Sequence, residues 1–140
     1  MSLFANQSRE ALRTAWREAW QRGRQGLPLE PLQAQMVALI ELHPEYQPQL
    51  ADPVVAAEGT DASANPFLHL ALHLALREQL GTERPAGIRN VYQQLVRRSR
   101  SAHEAEHRMI DVLAEALWQA QRDGRPPDEQ QYLASLRACP

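Results

Sequence analysis

Apolar residues recur every three or four positions along most of this chain. No stretch alternates at period two with β-branched and aromatic residues, so the pattern predicts helices throughout. The first predicted helix covers about residues 3–22, with Leu12, Ala15, Trp16, Ala19 and Trp20 on one face and Gly23 and Gly26 as stop signals. A second follows Pro28 and carries Leu29, Leu32, Met36, Leu39 and Ile40. It ends at His43, because Pro44 disfavours helical backbone at the residue before it. His43 stays on the apolar face, three positions past Ile40 and four past Leu39. Residues 51–64 read as a long irregular connection. Asn65 then suits an N-cap and Pro66 a first helical position. The third helix, Phe67 to Leu80, is apolar nearly all round, which predicts the most buried helix, closed by Gly81. A fourth begins near Pro85 with Ile88, Val91, Tyr92 and Leu95. Ser101-x-x-Glu104 is a capping box that breaks the chain from a fifth helix, which runs to about Asp123 before Gly124. Its inward stripe is Glu106, Ile110, Leu113 and Leu117. Pro126-Pro127-Asp128 introduces a short last helix over about 128–138, with Tyr132, Leu133 and Leu136. The expected fold is all-α, a single-domain bundle of five or six helices over residues 1–140.

Composition narrows the chemistry. All fifteen basic residues among the 140 are Arg. The absence of Lys removes Schiff-base chemistry and the phosphate-binding lysine of a P-loop. One cysteine, Cys139, cannot form an intrachain disulfide, a redox pair or a thiolate zinc site, and it is expected to be exposed. No glycine pattern matches a dinucleotide fingerprint. A net charge of −2 gives no reason to expect nucleic acid or an anionic membrane as partner. The opening residues lack the charged start and apolar run of a signal peptide, and the longest apolar run, Phe67 to Leu76, is too short to span a bilayer. The expected location is therefore the cytoplasm.

Any site must be built from His and carboxylate, and the five His are placed informatively. His69 and His73 are four apart on the third helix, and His103 and His107 are four apart on the fifth. Residues four apart lie one turn above each other, so each pair can aim two imidazoles at one ion. His43 is a further candidate. Neutral imidazoles leave a dication uncompensated, which calls for a carboxylate. Glu106 is the best placed, since without a cation it is a costly charge in an apolar stripe. Glu45, Glu104 and Asp111 are weaker candidates. The predicted ligand set is His69, His73, His103, His107 and Glu106 with His43, around a transition metal ion, Zn or Fe before other N/O-binding metals.

Two other readings remain open. One is a non-enzymatic helical interaction protein with a buried His/Glu network, able to self-associate. The other is a zinc-dependent hydrolase, because residues 103–107 read His-Glu-Ala-Glu-His. No third ligand follows at the peptidase spacing, and Glu104 also suits a helix cap.

The segments His43-Pro44-Glu45-Tyr46, Asn65-Pro66-Phe67-Leu68-His69, His73-Leu74-Ala75 with Glu78-Gln79, Arg84-Pro85-Ala86-Gly87-Ile88-Arg89, and His103 to His107 resemble a proteobacterial family of small proteins known only as a domain of unknown function. The resemblance covers most of residues 3–136. It implies a cytoplasmic bacterial protein and no established activity. The use of His from several helices also looks like the hemerythrin-like and DinB-like bundles. The chain lacks their His-x-x-x-Glu, and no His-x-x-x-x-Asp follows His107.

Among the remaining features, Trp16, Trp20 and Trp118 are expected in the core. Arg97, Arg98 and Arg100 favour a helix C-terminus. Arg89 is expected to pair with Glu78 or Glu83, and Glu78 to brace the Gly81 turn.

Overall fold

A computed structural model describes residues 9–51 and 66–140. Among these residues there are seven α-helices, one short 3-10 turn and no strand, so the all-α class holds and the helix count exceeds the expected five or six. The elements are α1 (Arg9–Arg24), α2 (Pro31–Glu41), the 3-10 turn Pro44–Tyr46, α3 (Gln47–Ala51), α4 (Pro66–Thr82), α5 (Ile88–Arg98), α6 (Ala102–Asp123) and α7 (Glu129–Arg137). The expected connection over 51–64 and the Asn65 cap lie, apart from Ala51, outside the described residues. The chain forms two compact units, Met1–Leu74 and Ala75–Pro140.

In the first unit, α1 packs on α2 and α3. The buried cluster comprises Trp16, Ala19 and Trp20 of α1, Met36, Val37, Leu39 and Ile40 of α2, Leu50 of α3, and Phe67, Leu70 and Leu74 of α4. Gly23 does not stop α1. It lies within the helix, where an added Cβ would sit 3.1 Å from Val37 Cγ2, so the missing side chain lets α2 approach. The turn follows at Gly26, whose φ of 70° is the left-handed conformation that glycine adopts freely. At the start of α2, the Glu30 N–H donates to Gln33 Oε1 (3.0 Å). Leu32 is exposed, and Val37 takes the place expected for it in the buried face.

In the second unit, α6 packs on α5 and α7, and α5 on α7. The buried residues include Ile88, Val91 and Leu95, Met109, Ile110 and Leu113, and Tyr132, Leu133 and Leu136. α4 runs through Gly81 and ends at Thr82, followed by Glu83 at a φ of 54°. Arg89 ties this corner. Its Nε and Nη2 donate to the Leu80 and Gly81 carbonyls (2.7 and 2.9 Å), while its backbone N–H donates to Glu83 Oε1 (3.0 Å). Of the two expected partners of Arg89, Glu83 is therefore engaged, through the backbone.

The break between α5 and α6 occurs where Ser101 predicted it. Ser101 Oγ accepts from the Glu104 N–H (3.1 Å), and Glu104 Oε2 accepts from the Arg100 N–H (2.9 Å). Asp128 caps α7 by accepting from the Gln131 N–H (3.1 Å). Leu117 and Trp118 are exposed, contrary to expectation, with the Arg122 guanidinium over the Trp118 ring at 4.9 Å.

Candidate metal centre

His43 is set by its backbone. α2 ends at Glu41 with Leu42 as its C-cap, and Pro44 opens the 3-10 turn directly after His43. The His43 N–H donates to the Ile40 carbonyl (3.0 Å), and the Tyr46 N–H donates back to the His43 carbonyl (2.9 Å). The ring is fixed as well. His43 Nδ1 lies 2.7 Å from the Leu39 carbonyl oxygen, and a carbonyl can only accept. Nδ1 therefore carries the proton, and in the neutral ring Nε2 presents a lone pair. This is the outer-sphere arrangement that orients a metal-binding imidazole.

His69 and His73 lie one turn apart on α4. His69 Nε2 is 3.1 Å from His43 Nε2. The His43 ring meets those of His69 and His73 edge-on, with centroids at 4.9 and 5.2 Å. The ligand nitrogens of the three lie within 4.8 Å of one another. His43 and His73 are buried and His69 is half-buried. Tyr46 stacks on His43, centroids 5.3 Å apart and planes within 7°, and meets His69 edge-on at 5.8 Å. Burial pushes the Tyr46 phenol pKa up, and the neighbouring Glu45 carboxylate adds to the effect.

The second unit holds the other pair. His103 and His107 are half-buried on α6 with ring centroids 4.0 Å apart. Glu106 is buried, as its phase predicts, and Arg77 Nε donates to its Oε1 at 3.0 Å. The counter-charge that the sequence reading sought in a metal is here a guanidinium. Tyr92 feels the same pair: burial first, then the Glu106 charge, raise its pKa, and Arg77 opposes them. Glu104 is engaged at the α6 N-terminus, where its Oε2 accepts from the Arg100 N–H. Glu45 and Asp111 are exposed, and Asp111 lines a groove of about 470 Å³ between α6 and α7 that contains none of the histidines.

The structure thus brings His43, His69 and His73 together, places His103 beside His107, and pairs Glu106 with Arg77. Two residues were missed in the sequence. Tyr46 follows His43 by one tight turn, and Arg77 continues the line of His69 and His73 by one further helical turn.

Residues 8–138 match the model of a family described as Domain of unknown function (DUF1841). The chain belongs to the DUF1841 family. The match bears out the resemblance to a domain of unknown function. No curated protein and no solved structure matches this DUF1841 chain. Among its described residues, no helix is long and apolar enough to cross a membrane.

Proposed function

We propose that this DUF1841 protein binds a transition metal ion through imidazole nitrogen, with His43, His69 and His73 as ligands. The observation that supports this reading is the convergence of three histidines from two separate elements, two of them buried, on a common point. The Leu39 carbonyl adds to it by freezing His43 with Nε2 turned toward His69. An all-nitrogen set suits Zn and Fe(II).

The test is metal content. Untagged protein is analysed by mass spectrometry before and after chelation, and its melting is followed on adding Zn or Fe(II). Near-stoichiometric metal and a raised melting temperature are expected. Below about a tenth of an equivalent, with no melting shift, the metal reading fails. The second reading, an interaction protein with a buried polar network, is favoured by one observation. The His43–His69 contact at 3.1 Å is a hydrogen bond in its own right, with His69 Nε2–H donating to His43 Nε2.

A further inference from the structure

We infer that the groove between α6 and α7 binds a linear polyamine, its ammonium groups held by carboxylates at the two ends and its methylenes lying along an apolar floor. The inference is independent of the metal reading, since the groove contains none of the histidines.

Shape sets the class of occupant. The groove has a volume of about 470 Å³. Its α6 wall extends from Asp111 to Asp123, about 18 Å along the helix axis at 1.5 Å per residue. A helix of that length, about 10–12 Å across with its side chains, fills about 1,400–2,000 Å³, so the groove suits a narrower chain. An extended peptide docks by adding to an exposed sheet edge. Both walls here are helices, whose main-chain groups bond within the helix. A chain of methylenes makes no such demand.

The lining matches a polyamine in both its parts. Val112, Ala116 and Ala120 follow one another at one-turn spacing along the α6 wall, an apolar strip for methylenes. The same lining contains Asp111, Glu115, Asp123 and Asp128 with one arginine, Arg125, so negative charge is in excess. Asp111 and Glu115 stand one turn apart, where like charges destabilise a helix and a cation relieves them. Asp123 and Asp128 flank the other end, at the close of α6 and the start of α7. Glu115 Oε1 accepts from Gln119 (3.0 Å), Asp123 Oδ1 from Arg122 (3.2 Å) and Asp128 Oδ1 from the Gln131 N–H (3.1 Å). A carboxylate offers about four lone-pair positions, so each can hold an ammonium as well.

The experiment titrates full-length protein with spermine by calorimetry at physiological salt. We expect saturable uptake of one equivalent. A twelve-carbon diamine should bind about tenfold more tightly than a four-carbon diamine of equal charge, because only the longer chain spans the groove. Asp111→Asn with Glu115→Gln should weaken spermine about tenfold. Glu18→Arg, an equal change of net charge on exposed α1, should leave it within about twofold. Ala116→Leu keeps every carboxylate and narrows the groove, and should also weaken binding. Absence of saturable uptake would overturn the inference. So would equal affinity for the two diamines or for Mg(II), equal effects of the two charge changes, full binding in Ala116→Leu, or displacement of spermine by an arginine-rich helical peptide that binds more tightly.

Discussion

Replacing His43 by Ala separates the two things this side chain does. In the metal-free protein the change removes the Nδ1–H bond to the Leu39 carbonyl, worth about 1 kcal/mol net. It also removes the stacked contact with Tyr46, worth about 0.5–1.5 kcal/mol, and leaves a gap where a ring was almost fully buried. The Leu39 carbonyl is not stranded, because the Leu42 N–H also donates to it at 3.2 Å. The metal-free cost is therefore about 2–4 kcal/mol, and the variant folds. The metal acts differently. An ion at a hundred times its Kd stabilises the wild type by about 2.7 kcal/mol, which for a chain of this size raises Tm by roughly 8–11 °C. In His43→Ala that rise should shrink to below about 2 °C. Differential scanning fluorimetry on wild type and variant, each with and without Zn, gives all four corners. His69→Ala is the companion, since its half-buried ring costs less in the metal-free state and removes a ligand as surely. If His43→Ala melts lower but rises with Zn by the wild-type amount, Nε2 of His43 is not a ligand and the reasoning fails.

Arg77→Ala leaves the buried Glu106 carboxylate without its guanidinium and should cost about 1.5–3 kcal/mol in urea unfolding, less than a fully buried pair because Arg77 is partly exposed. Adding Glu106→Gln to it should cost little more, and strict additivity would show that the pair is not coupled. Burial raises the Tyr132 phenol pKa well above its ordinary 10.0. The folded protein thus holds that proton where the unfolded chain releases it, so stability is intact below about pH 10 and falls as pH rises further. Tyr132→Phe should flatten that alkaline decline while losing about 1 kcal/mol at neutral pH with the bond to Gln79 Oε1. An unchanged slope above pH 10 would contradict it. Ser101→Ala removes the α6 N-cap and should cost about 1 kcal/mol by thermal unfolding, and no loss would mean that Glu104 alone holds the helix start.

Local signals carried most of the helix boundaries. Pro44 after His43, Ser101 with Glu104 and Asp128 before α7 each act through a backbone hydrogen bond or a fixed φ within a few residues, and each is visible as a residue pattern. Glycine misled where its reason was not conformational. Gly23 serves the approach of Val37, a long-range contact that no local pattern encodes, and Gly81 lies inside α4 while Glu83 turns the chain. Leu117 and Trp118 are exposed although the pattern predicted them inside, because periodicity gives the direction of a side chain and not what stands opposite it. The candidate site divides in the same way. The spacing of His69 and His73 and the inward phase of Glu106 were legible, since both are properties of one helix. Which ring nitrogen of His43 carries the proton, and the identity of the cation beside Glu106, depend on contacts with Leu39 and Arg77 that only the folded chain supplies.

The tryptophans fall into two environments with a practical consequence. Trp16 and Trp20 are buried beside the helix that leads to His43, and their indole Nε1 atoms have no hydrogen-bond partner among the described residues. Trp118 lies on the surface of the second unit under Arg122. Intrinsic fluorescence therefore contains a blue, shielded component from one unit and a red, quencher-accessible component from the other. In a Trp118→Phe background the whole emission originates in the first unit. The protein then carries its own optical reporter in the unit that holds His43, His69 and His73, with no dye attached.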